Sequence, residues 1–158
     1  MNYDNLVAVW QEYLSNVFEW ESLVEGVKPK QTNCGPIYEL DNPIDRPQES
    51  FAISDMRAVA VAEPHYHTGG ESEIYFVLTG TGTVVVAGEE HNVRAGSVVV
   101  TQPEQAHFTI PERDLVMAVV NTPPFAAERV VDLHDSLKRV GFDLEQYDRL
   151  TGQIKTAP

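Results

Sequence analysis

The chain has 158 residues, 24 of them acidic and 11 basic, for a formal net charge of −13. That length suits one domain with its own core, and 42% hydrophobic residues exclude a disordered chain. The negative surface repels phosphate backbones and argues against a nucleic-acid partner, while a single cysteine, Cys34, excludes an intrachain disulfide and a thiolate-rich metal site.

The first residues, Met1-Asn2-Tyr3-Asp4-Asn5, carry neither the positive charge nor the apolar stretch of a secretory signal. No later run approaches the roughly 20 apolar residues of a membrane helix. A cytoplasmic location without a membrane partner is therefore expected. Over 6–20, Leu6, Val9, Trp10, Tyr13, Leu14, Val17 and Phe18 recur at spacings of three and four, which predicts an amphipathic helix. Its apolar face would pack on the rest of the fold or on a second copy. Residues 27–47 are rich in turn formers, with Pro29, Pro36, Pro43 and Pro47 excluding long regular elements. Only 37–40 reads as a short strand.

From residue 51 the pattern becomes one of short strands, expected at 57–62, 74–79, 83–86, 90–93, 97–101, 107–110 and 115–121. Turn signals separate them: Gly69-Gly70, Gly80-Thr81-Gly82, Gly88-Glu89, Ala95-Gly96 and Pro111-Glu112. Valine runs such as Val84-Val85-Val86 and Val98-Val99-Val100 favour the pleated surface. Short strands without intervening helices imply an antiparallel sandwich or barrel. After Pro123-Pro124 a strand is expected at 128–131 and short helices at 136–140 and 144–150, with Gly141 and Gly152 as stops.

Within this strand-rich region, His65-Tyr66-His67 would project both imidazoles to one side of an extended chain, because residues i and i+2 share a face. Glu73 follows six residues after His67, and the Thr68-Gly69-Gly70 turn can bring it beside the pair. Glu73, Tyr75 and Val77 would then share one face and Ile74, Phe76 and Leu78 the other. His107 opens a later strand. Three imidazoles and a carboxylate leave up to two positions free on a six-coordinate ion, as a reactive site requires.

These residues carry a resemblance. The stretch His65-Tyr-His67-Thr-Gly-Gly-Glu71-Ser-Glu73-Ile-Tyr75-Phe-Val-Leu-Thr-Gly80 resembles the first cupin motif, a His-x-His pair, a glutamate, and a glycine seven positions beyond it. Gly96 to His107 is similar to the second: glycine, a β run, a turn with proline, then histidine. The motif usually places three or four residues between its second histidine and the glutamate. Glu71 meets that spacing, whereas Glu73 lies five residues on but meets the distance to Gly80. That distance fixes strand register, so Glu73 is favoured and Glu71 kept as the alternative. The turn Pro103-Glu104-Gln105-Ala106 lacks the usual glycine, and Pro111 stands where an asparagine is common. Within the superfamily, Glu73-Ile-Tyr75-x-Val77-Leu78-x-Gly80-x-Gly82 also resembles cupin-type glucose-6-phosphate isomerases. With Arg57, Arg94 and Arg113 the only bases in the region, however, no phosphate cradle is evident.

The resemblance implies an all-β double-stranded β-helix, or jelly roll, forming a single domain over 1–158: an N-terminal arm to 50, a β-barrel core over 51–131 and a C-terminal extension over 132–158. It implies a divalent metal on His65, His67, Glu73 and His107, with iron, manganese, nickel and zinc all suited to that donor set. It also implies a homodimer. Glu71, Tyr75 and His91 are the candidate catalytic groups beside the ion. The expected function is dioxygenase-like or isomerase/epimerase-like chemistry on a small polar metabolite. The alternative is a non-catalytic module that binds a sugar or organic acid.

Overall fold

The structure is a computed structural model that describes residues 20–32, 34–40, 48–59, 61–133 and 142–154. The helix expected over 6–20 lies outside these residues except for Trp20, and the one expected over 136–140 lies wholly outside. Among the described residues nine strands form one curled antiparallel sheet: β1 (Lys30–Thr32), β2 (Gly35–Leu40), β3 (Ser50–Asp55), β4 (His65–His67), β5 (Ser72–Val86), β6 (Glu89–Arg94), β7 (Val98–Thr101), β8 (His107–Thr122) and β9 (Val130–Asp132). Two described helices flank it, α1 (Trp20–Val24) and α2 (Leu144–Ile154).

Sequence and structure part at several points, among them an unexpected strand at Lys30–Thr32 and a later start, at Val130, for the strand expected at 128–131. The strand expected at 57–62 is instead β3, and residues 56–59 make a turn closed by a Val59 N–H to Met56 O bond. The strands expected at 74–79 and 83–86 are one strand, and so are those at 107–110 and 115–121. Glycine and proline at 80–82 and 111 mark irregularities within these long strands, not reversals. The β5–β8 register shifts between Val77 and Gly82, which lets the pair bend from one side of the barrel to the other. Gly80 sits at φ +78°, and a Cβ there would lie 2.3 Å from the backbone of Arg113 and Asp114. Only glycine permits that approach.

β5 and β8 form the spine. β5 pairs with β8 along one edge and with β7 and then β6 along the other, while β8 also pairs with β3 and, at one position, β4. Alternation follows the expected pattern: Glu73, Tyr75 and Val77 are buried inside, Phe76 is exposed, and Ile74 and Leu78 are half-buried outside. The interior is filled by Met56, Ala62, Tyr75, Val77, Val84, Val86, Val93, Leu115, Met117 and Val119. On the opposite side of the spine, Ile53, Val116 and Ala118 pack beneath Trp20 and Val24 of α1. A third cluster, Val85, Phe108 and Ile110, lies against Phe142, Tyr147 and Leu150, so α2 caps the far half of the spine.

Candidate metal centre

Four side chains from three strands meet inside one end of the curled sheet. His65 and His67 are the first and last residues of β4, Glu73 is near the start of β5, and His107 is the first residue of β8. Pairing explains the convergence: His65 lies opposite His107, and Glu73 opposite Asn121 of β8 and Thr101 of β7. All four are buried, and one ligand atom from each falls within 4.8 Å of the others. The rings of His65 and His107 are 4.3 Å apart, and those of His67 and His107 stack at 5.5 Å.

The groups around the cluster fix its orientation. His65 Nδ1 lies 2.8 Å from Glu63 O and His107 Nδ1 2.9 Å from Gln105 O. In the tautomer these carbonyls select, Nδ1 donates and the Nε2 lone pair is free. His67 Nδ1 has no carbonyl but lies 2.9 Å from Glu71 Oε1. Glu73 Oε2 is 3.1 Å from His107 Nε2 and 3.4 Å from His67 Nε2, and it accepts a 2.5 Å bond from the Tyr75 hydroxyl. The Asn121 amide donates to both carboxylates, at 3.0 Å to Glu71 and 3.2 Å to Glu73.

Charge follows from these surroundings. Burial, reinforced by His107, pushes His65 down to about 3, so its ring is neutral at pH 7. Burial would raise Glu73, but the His107 and His67 rings beside it hold it well below the usual carboxylate range. Burial opposes a charge on His67, yet Glu73 and Glu71 outweigh it and raise its pKa. Burial and the Glu73 charge keep Tyr75 protonated, as a donor. Burial raises Glu71, against the pull of His67 and Arg129.

The donor set fits a divalent ion. Both ring nitrogens of His67 are buried and make no aligned hydrogen bond among the described residues, an arrangement that costs free energy unless something else satisfies them. Three imidazoles around an ionised carboxylate are borderline donors suited to iron, manganese, nickel or zinc.

Of the sequence candidates, the structure brings His65, His67, Glu73, His107, Glu71 and Tyr75 together. Glu73 is the carboxylate inside the cluster, whereas Glu71 stands behind His67. His91 stays apart. It is exposed on β6, whose only buried residue is Val93, and lines an open surface cleft of about 630 Å³ with Asn92 and Val98. Strand alternation turns Val93 inward and with it turns His91 inward by parity, but β6 stands at the rim, where only Val93 reaches the core. Sequence reasoning missed Asn121, Arg129 and Phe125, whose ring lies edge-on 6.1 Å from His67. None has a spacing signal, since each reaches the site through strand pairing or the return of a loop. Cys34 is half-buried against the interior cluster, and burial and then the Glu73 charge push its thiol up to about 12.

Comparison with known proteins places this geometry. The family model described as Cupin domain matches residues 54–121, a span that contains all four clustered side chains. An L-ectoine synthase of Sphingopyxis alaskensis is 32% identical over 85 residues, covering 52% of this chain and 61% of the relative. The chain therefore spans less than two thirds of that relative's length. Among solved structures, Streptomyces Pac13, described as a nucleoside dehydratase, superposes with a TM-score of 0.60 at 13% identity, over 69% of this chain and 86% of the other. An ectoine synthase from P. lautus gives 0.57 at 18%, over 75% and 89%. At these identities the structural likeness is one of fold.

Proposed function

We infer, from the Cupin domain match over residues 54–121 and the likeness to an L-ectoine synthase, that this chain belongs to the cupin superfamily, and from that premise we propose that it is a metal-dependent enzyme acting on a small polar metabolite. His65, His67, Glu73 and His107 would hold the ion. A divalent ion there supplies Lewis acidity to an oxygen function of the substrate. Tyr75 is the proton donor on this reading. Its hydroxyl is buried, kept protonated and aimed at Glu73, the one place in the cluster where a neutral acid touches a ligand. Asn121 keeps the two carboxylates in place, and the apolar interior formed by Val77, Val84, Leu115 and Met117 limits water. Proton-transfer chemistry, as in isomerisation or elimination, follows from this arrangement more directly than oxygen chemistry. The relative named as an L-ectoine synthase supports a small polar substrate.

The observation that carries the reading is the convergence of three buried imidazoles and one carboxylate with a phenol bonded to that carboxylate. The test is elemental analysis of protein purified without chelator, beside His67→Ala. Near-stoichiometric metal that is lost in the variant supports the site, and unchanged metal rejects it. A screen of small polar metabolites, ectoine precursors and uridine among them, then separates turnover from binding alone. Binding without turnover would make the chain a ligand-binding module.

One cytoplasmic domain acting as a homodimer completes the proposal. Register aligns Tyr38, Ile53, Ala118, Phe76 and Val98 in one row across five strands, and Leu40, Phe51, Val120, Ile74 and Val100 in the next. α1 covers one end of these rows, while Phe76, Val98 and Val100 remain 41%, 55% and 45% exposed at the other. An uncharged strip on so acidic a chain is where two copies meet with least repulsion. No described helix is long and apolar enough to cross a membrane.

A further inference from the structure

We infer that Arg129 is a positioning residue of the metal centre, acting through Glu71 on the ring of His67. The inference rests on the metal reading above but concerns a part of the chain beyond the matched cupin span, which ends at residue 121.

The segment 123–133 returns across the barrel end as a strap. Its last part, β9, pairs with β4: Val130 opposite His67, Val131 opposite Tyr66 and Asp132 opposite His65. Leu133 N–H bonds to Pro64 O at 3.0 Å, and the Thr68 N–H and hydroxyl both donate to Arg129 O, at 2.9 and 3.1 Å. The strap thus fixes the backbone of the two ligand histidines and of Arg129 together.

From that anchored position the Arg129 side chain crosses Gly69, where a Cβ would lie 2.7 Å from Arg129 Cδ. It reaches Glu71, which is 0% exposed, with Nε 3.2 Å from Oε2. A second guanidinium nitrogen donates to Pro124 O, so the fork is held at two points. The opposite carboxylate oxygen, Oε1, faces His67 Nδ1 at 2.9 Å and accepts from Asn121 at 3.0 Å. Both contacts are ion pairs and not aligned hydrogen bonds, so the coupling is one of charge: the cation lies against Oε2, and Oε1 is left facing the His67 ring. His67 thereby differs from His65 and His107, whose Nδ1 atoms lie beside main-chain carbonyls two residues earlier in the chain. Its orientation depends on side chains delivered from a distant segment. Among the described residues this carboxylate, itself fully buried and backed by a guanidinium that is 24% exposed, is the charge pair that touches the cluster from outside it.

The experiment measures cobalt(II) affinity by chelator competition, together with the visible ligand-field spectrum, for wild type, Arg129→Ala, Arg129→Lys, Glu71→Gln and the Arg129→Ala/Glu71→Gln double variant. Arg129→Ala is expected to weaken binding by about 10–100-fold and shift the spectrum. Arg129→Lys should recover part of the loss. The double variant should bind no worse than Glu71→Gln alone, because one path carries both effects. Wild-type affinity and spectrum in Arg129→Ala, or additive losses in the double variant, would overturn the inference while leaving the metal reading intact. Absence of binding in wild type would overturn both. Should Arg129→Ala fail to fold, the comparison of Arg129→Lys with Glu71→Gln carries the same test.

Discussion

Glu73 and His107 are carried by the two longest strands of the sheet, paired to each other along most of their length, whereas His65 and His67 occupy a strand of three residues. The first two are held by the same backbone ladder and core that hold the fold. The last two meet β8 at one position, take a 2.8 Å bond from Glu104 N–H at His67 O, and are otherwise held by the strap through β9. One half of the cluster should open only with the whole fold, and the other with a peripheral segment. Metal affinity and fold stability should therefore respond to different residues.

The sharpest separation comes from the ligands themselves. Replacing His107 by Ala should drop bound metal from near-stoichiometric to background, read by elemental analysis, because the fully enclosed ring supplies the donor between His65 and Glu73. On the spine, Leu115→Ala removes a side chain that is 0% exposed. It should cost about 2–5 kcal/mol in denaturant unfolding while the folded fraction still binds metal. Gly69→Ala tests the strap. Gly69 sits at φ +69° beneath Arg129, so an alanine should cost about 1–2 kcal/mol from backbone conformation alone. Its loss of metal affinity should exceed that of Leu115→Ala despite the milder unfolding penalty. Equal ratios of the two losses would erase the distinction between the halves.

The smallest effect is expected far from the site. Asp55, on β3, takes two side-chain bonds from Arg57, at 2.9 and 2.6 Å, and its carboxyl is lowered chiefly by them. A carboxyl depressed in the folded state stabilises above its unfolded pKa, roughly 3.9, and loses that contribution as pH falls through the folded value. Arg57 is half exposed, so Asp55→Asn should cost on the order of 1 kcal/mol or less at pH 7. The difference from wild type should begin to narrow below about pH 4 and close only beneath the lowered folded value, as thermal melts across pH would show, with metal content at pH 7 unchanged.

Much of the cluster was legible in the chain. His65 and His67 share a face because alternate residues of a strand must, and the Thr68-Gly69-Gly70 turn leaves Glu73 close by. The distance from Glu73 to Gly80 favoured the glutamate that lies inside the cluster, and parity carries Glu73 and Tyr75 inward together. His91 shows where parity stops helping. Its strand was expected and exists, but parity cannot tell a rim from a core. Glycines at 80 and 82 were read as a reversal, since the same residues serve a turn and a bulge.

What the sequence determined by itself is local: alternation, turn chemistry, and the residue types able to hold an ion, all fixed within a few bonds of each other. What the tertiary structure decided is everything that crosses between strands. It joined four predicted strands into two, set Asn121 between the carboxylates, and brought Arg129 behind His67 from about sixty residues away. No local rule encodes such meetings, because they depend on which segment closes the barrel end and at what register. That choice belongs to the packing of the whole chain.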